Sequence, residues 1–143
     1  MSGIVRLVTD TARPKHVDVF HYASTTVDLA DGNLVAIDVG TTTYGLGKSV
    51  VISPAAADTD LCPGCVDRVV DASVDGPLWI PVVTQGVKAS CTVTGVDAKE
   101  EVNQSGTLGT LGDAAGTETA MGRALDGSGS IWFFGLYRCS APA

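Results

Sequence analysis

Three observations predict an all-β chain: helical periodicity is nearly absent, short β-branched runs recur along the whole length, and Gly, Asp, Asn and Pro punctuate them. The expected product is a compact β-barrel or β-sandwich with an extended N-terminal segment and at most one short helix. At 143 residues the chain has the length of one domain, large enough to bury about two thirds of the surface its unfolded form exposes. No linker composition divides it. Residues 1–14 are expected to form an N-terminal arm or first strand, and residues 15–143 a single β domain.

The first apolar run, Ile4 to Val8, is a strand candidate that Pro14 stops from pairing further. In the second, Val17 to Tyr22, alternation puts Val17, Val19 and His21 on one face and Asp18, Phe20 and Tyr22 on the other. Neither face is purely polar, so cover on both sides is expected. Asp31-Gly32-Asn33 offers residues tolerant of positive φ, which makes Val27 to Val39 the best hairpin candidate, with Leu34 to Val39 as a strand. Further strands are expected at Lys48 to Ile52, Val66 to Val70, Leu78 to Thr84, Ala89 to Val96, Glu100 to Gln104 and Ile131 to Tyr137. Asp75-Gly76-Pro77 reads as a turn. Gly106 to Gly116, with its short Gly-Thr-Leu repeat, reads as a loop or bulged edge strand. Thr117 to Leu125 is the place for a short helix, with Thr117 as N-cap and Gly122 counting against it.

Composition narrows the partners. A formal net charge of −7 with nine scattered basic residues argues against nucleic acid, because such binding rests on Lys and Arg neutralising phosphates. Apolar runs fall far short of the ~20 residues that cross a bilayer, so no membrane span is expected. The N-terminus has no extended apolar core followed by a cleavage site, and folding in a cytoplasm is the expectation.

No motif assembles catalytic chemistry. Cys62-Pro-Gly-Cys65 has the spacing for two ligands of a tetrahedral zinc, which Cys91, Cys139, His16 or His21 could complete. A second CxxC or a paired His pattern is missing, so neither metal nor cofactor is expected. The cysteines read instead as small hydrophobes or as a disulfide formed after release from the cell, and the sequence does not choose among the three pairings of four cysteines. Gly47-Lys48-Ser49 ends like a phosphate loop, but the glycine required five positions earlier is Thr42, so the segment reads as a hairpin or loop entering Val50 to Ile52. A nucleophile elbow is lacking, and Gly127 to Ser130 reads as the turn feeding the last strand. Glu100 and Glu101 point to opposite faces of a strand and read as a solvated edge. Asn103-Gln-Ser105 fits a glycosylation acceptor but is expected to be inert.

Trp132, Phe133 and Phe134 are consecutive, so on a strand at least one ring faces away from its neighbours. These three residues are interface candidates. So are Ile4, Val5, Leu7 and Val8, which can add a strand to an exposed sheet edge.

The cadence from Met121 to Gly129 followed by an apolar last strand, with the stretch from Pro81 to Val96 upstream, resembles the C-terminal half of tailed-phage capsid decoration (cement) proteins. The resemblance implies a non-enzymatic structural role: binding the outer surface of a mature bacteriophage head and clamping neighbouring major capsid subunits against packaged-DNA pressure. It implies a homotrimer, with the major capsid protein as partner and the virion surface as final location after synthesis in the host cytoplasm. Repeated copies turn modest contacts into shell stability, and a cyclic trimer avoids open polymerisation. The alternatives are a small zinc-stabilised binding module using Cys62 and Cys65, or a phage tail or baseplate structural protein. A small hydrolase is a further class, weakened by the missing acid, base and nucleophile pattern.

Overall fold

The computed structural model describes residues 15–55, 60–114 and 120–135. Its elements are β1 (Lys15–Tyr22), β2 (Leu34–Ile37), β3 (Ser49–Ile52), β4 (Gly64–Val66), a single helical turn α1 (Ala72–Asp75), β5 (Leu78–Lys88), β6 (Val93–Thr94), β7 (Glu101–Gln104), β8 (Leu111–Asp113), β9 (Gly122–Ala124) and β10 (Ile131–Phe134). The fold is all-β, as the punctuation predicts. All ten strands pair in the order β1-β3-β2-β4-β5-β10-β9-β7-β8-β6, and β1 also pairs with β5. That extra pairing closes β1, β3, β2, β4 and β5 into a ring, while the other five strands continue from β5 as a second lobe. Within the ring only β1 and β3 run parallel.

Alternating side chains give the ring two apolar faces. Phe20, Tyr22, Val35, Val50, Val66, Ile80 and Val82 fill its interior. Leu34, Ala36, Cys65 and Val83 point outward and meet Val102, Leu111, Ala124, Ile131 and Phe133 of the second lobe in a separate core. Strands buried on both faces read as continuous apolar runs, which is why Leu34-Val-Ala-Ile37 shows no polar alternation. The second lobe is tied back to the ring by backbone bonds: Leu34 N–H donates to Gly109 O (2.8 Å), Gly109 N–H to Ser53 O (2.8 Å) and Thr92 N–H to Gly32 O (2.9 Å).

Two glycines permit close backbone approach, Gly64 within the ring and Gly32 where the ring meets the second lobe. A Cβ on Gly64 would lie 1.9 Å from Val83 O, and one on Gly32, whose φ is +90°, would lie 2.0 Å from Ser90 O. Side chains there would force neighbouring backbones apart.

The structure departs from the sequence expectations at definite places. Ile4 to Val8 lies outside the described residues, as does the start of Thr117 to Leu125. The end of that proposed helix is instead strand β9, held between β10 and β7. Gly122 packs where a Cβ would be 2.5 Å from Trp132 O, a contact only an extended backbone makes. Among the described residues the helical turn falls at Ala72–Asp75, where the Asp71 carboxylate accepts the Ser73 and Val74 amides and Gly76 caps the end at φ +62°. Val27 to Val39 is no hairpin: the turn forms, with Asn33 N–H donating to Ala30 O, but β2 pairs with β3 and β4. Leu29 instead bridges Val70.

Val66 to Val70 is displaced to Gly64–Val66, because Asp67 leaves the strand to meet lysines. Ala89 to Val96 shrinks to Val93–Thr94, since Ser90 takes φ +60° and Cys91 N–H donates to Gly129 O. Within Gly106 to Gly116, β8 has β7 and β6 on its two sides and is not an edge. β7 is likewise interior, although Glu101 is exposed. The loop from Asp38 to Lys48 joining antiparallel β2 and β3, and the Gly127 to Ser130 turn joining β9 and β10, agree with expectation.

Gly64→Ala is expected to lower the free energy of unfolding by about 1–3 kcal/mol, because the added methyl forces β4 off β5. Urea unfolding of the variant beside the parent measures this, and an unchanged midpoint would show that the strands can separate without cost.

Candidate interaction surface

The described cysteines are interior groups. Cys62, Cys65 and Cys91 are buried and unbonded to one another, and all three belong to the core between ring and second lobe. Burial is the main cause that pushes the Cys65 thiol pKa well up, and the neighbouring Cys91 thiol adds to it. Among the described residues, no group of three or more His, Cys, Asp and Glu side chains is placed to hold a metal. Asn103 is buried, which keeps its side chain from any glycosylating enzyme in the folded state.

Charge concentrates where β5 leaves the ring. The Lys88 side chain is almost wholly buried, yet its ammonium meets Asp31 (3.0 Å) and Asp67 (3.3 Å), and Lys15 reaches the other oxygen of Asp67 at 2.7 Å. Burial alone lowers the pKa of Lys88, and the two carboxylates outweigh it, leaving the ammonium above its ordinary value. Burial likewise works to raise the Asp67 pKa, and Lys15 and Lys88 outweigh it in the opposite direction. The four groups clamp the start of β1, the end of β5, the residue after β4 and the Asp31 turn. Such a network joins segments distant in sequence; it presents no neutral amine for chemistry.

The aromatic strand resolves the question its sequence poses. Phe133 is 1% exposed and fills the inter-lobe core, while Trp132 and Phe134 point the other way at 52% and 37%. Their rings touch edge to face with centroids 6.5 Å apart. Trp132 also lines an open groove of about 310 Å³ with Lys15, His16, Gln85 and Gly86. Strand pairing explains the grouping, since Phe134 lies opposite Gln85 on β5 and Gln85 opposite His16 on β1. The other interface candidates, Ile4, Val5, Leu7 and Val8, lie outside the described residues.

A second aromatic group escaped the sequence reading. His21 packs against Tyr44 (4.4 Å between centroids) and Trp79 (5.2 Å), and the latter two meet at 5.1 Å. His21 lies opposite Trp79 across β1 and β5, while Tyr44 comes from the loop before β3. His21 is 7% exposed, and its Nδ1 has no hydrogen-bond partner among the described residues. The two-sided cover expected for β1 thus holds at His21 and fails at Val19, which is exposed. Only the period-2 spacing could have hinted at the pair, and nothing local brings Tyr44 to it.

The charge network makes stability depend on pH in two windows. A carboxyl with a depressed folded pKa stabilises fully above its ordinary value of 3.8 and loses that contribution as pH falls through the lower folded value. An ammonium with a raised folded pKa stabilises fully below its ordinary value of 10.5 and loses the contribution as pH climbs through the higher folded value. Thermal unfolding from pH 2 to 12 is therefore expected to show a plateau with losses at both ends. Asp67→Asn should flatten the acid limb, and an acid limb equal to the parent's would contradict the assignment.

Comparison with known proteins returned no matching family model, no matching curated protein and no matching solved structure.

Proposed function

We propose that this chain is a structural capsid decoration protein: a rigid β module that attaches to the outer surface of a phage head, clamps neighbouring major capsid subunits and works as a homotrimer. The observation that carries the reading is the split of the last strand, which buries Phe133 and turns Trp132 and Phe134 outward together. Paired exposed rings on a strand anchored in the core give a preorganised contact, and Trp and Phe are enriched where protein interfaces are buried. The likeness of the Met121 to Gly129 cadence and the Pro81 to Val96 stretch to decoration proteins supplies the partner. A scaffold with two apolar cores supports the mechanical role, because outward pressure must be resisted by a domain that does not itself deform.

The N-terminal segment Ser2 to Pro14 has a place in the same reading. Its apolar Ile4, Val5, Leu7 and Val8 suit strand addition to a neighbour, with main-chain hydrogen bonds providing affinity.

The test is cosedimentation of purified protein with expanded heads, followed by heating of the decorated particles. Intact protein is expected to bind in many symmetry-related copies and raise the temperature at which heads rupture, since a ligand selective for the assembled shell stabilises it by linkage. Trp132→Ala with Phe134→Ala should weaken attachment at least ~10-fold, about the loss of one aromatic anchor, with the circular dichroism spectrum unchanged. Deleting Ser2 to Val8 should weaken attachment more than folding. Binding to tails but not heads would move the assignment to the tail or baseplate, and binding to neither would reject it.

A further inference from the structure

β1 is covered unevenly. Along one edge it pairs with β5 from Lys15 to Tyr22, but along the other β3 reaches only His21 and Tyr22. His21 N–H donates to Lys48 O at 2.8 Å, so the backbone groups of His21 face β3. Main-chain direction alternates along a strand, and the N–H and C=O of Val19 and Val17 therefore point to that same edge, ahead of the place where β3 begins. Pro81 agrees from the other side. It stands opposite Val19 with no N–H to give, and its carbonyl accepts from Asp67 N–H (2.9 Å), away from β1. Among the described residues no strand pairs with this stretch, which leaves two main-chain donors and two acceptors unpaired. Beside it lies an open groove of about 220 Å³, lined by Val19 and the loop from Leu46 to Lys48. Val19 is 56% exposed and Leu46 77%. An unpaired edge with apolar side chains next to it is a template for a further strand.

We propose that this edge of β1 receives residues 4–8 of a second copy of the chain, Ile-Val-Arg-Leu-Val, as an added strand, and that three copies joined head to tail in this way make the homotrimer. The six residues from Thr9 to Pro14 link that segment to Lys15 and span ~20 Å when extended, enough to reach a neighbouring copy. Arg13 stands before a proline, which holds it to extended backbone. Thr9 to Pro14 contains neither glycine nor asparagine for a tight reversal, so the segment leaves its own β1 rather than folding back on it. Side-chain alternation matches donor to acceptor. With Arg6 opposite Asp18, Val5 and Leu7 fall beside Val17 and Val19, next to Leu46, and the opposite charges attract across the strands. Asp18, whose carboxylate accepts from Thr84 Oγ1 at 2.9 Å, also rejects the simplest alternative. Pairing two β1 edges about a twofold axis at Asp18 would set that carboxylate against its own copy, a destabilising like-charge pair. Because donor and acceptor are different surfaces, the contact is heterologous, and it closes as a ring when each step turns by a third of a circle. The donor rests on the arm reading proposed above, whereas exchange between copies needs no phage head and is tested without one, so either can fail alone.

Sedimentation velocity of the unmutated protein is expected to show a trimer, and an excess of synthetic peptide covering residues 1–14 should dissociate it to monomers. Val19→Pro removes an edge donor that β5 does not use, and deleting Ser2 to Val8 removes the strand that the edge receives. Each variant alone should sediment as a monomer with an unchanged circular dichroism spectrum. Mixed in equal amounts, the two should form a one-to-one dimer, because the first keeps its segment and the second keeps its edge. A fluorescent peptide of residues 1–14 should bind the truncated protein, and at least ~10-fold more weakly once Val19→Pro is added. A monomeric parent, a trimer that survives both changes, or a mixture that stays monomeric would overturn the exchange. If either variant fails to fold, an unmutated trimer that the peptide leaves intact overturns it instead.

Discussion

Everything in this structure depends on one strand belonging to two cores. β5 runs for eleven residues, and adjacent side chains on it, Val82 and Val83, enter different apolar interiors. β1 pairs along one edge of β5, while β4 and then β10 share the other. A one-residue slip of this strand would exchange the two faces, putting Trp79 and Pro81 into the ring and Ile80 and Val82 against the second lobe. Register is fixed because both faces are buried where the lobes meet. The bulge between His16 and Val17 absorbs the mismatch as β1 follows β5 past the end of the ring.

Such a junction leaves little room, and the chain meets that limit with residues of minimal size. Gly64 lets β4 lie against the backbone of β5, and Gly32 lets the Asp31 turn lie against the segment after it. At the same junction, Lys88 carries a charge into the fold and is met by Asp31 and Asp67. A buried ammonium without partners would cost several kcal/mol, so the carboxylates specify how the ring and the second lobe come together as much as they stabilise either. Cys65 and Cys91 are buried in the core along the same seam.

Rigidity inside frees the outside for recognition. Because β10 is anchored through Ile131 and Phe133, its outward residues project from a strand whose other face is buried. The His21, Tyr44 and Trp79 cluster on the ring has a different character, since its rings pack mainly on one another. The β10 pair adjoins an open groove with polar residues on its wall, and the proposed attachment rests on it for that reason.

Local sequence determined the β class, most strand positions, the outward and inward alternation of Trp132, Phe133 and Phe134, and the turn that feeds them. Each of these follows from period-2 alternation or from the φ preference of a few adjacent residues. Tertiary structure alone decided that Gly122 to Ala124 is a strand, that Val66 to Val70 stops at Val66, and that Leu34 pairs with Cys65 instead of folding back on Val27. It also decided that Lys88 meets Asp31 and Asp67, and that Cys62, Cys65 and Cys91 share one core. These outcomes depend on groups far apart in sequence, and no local pattern encodes which distant backbone will approach a given glycine or which distant charge will accompany a buried one.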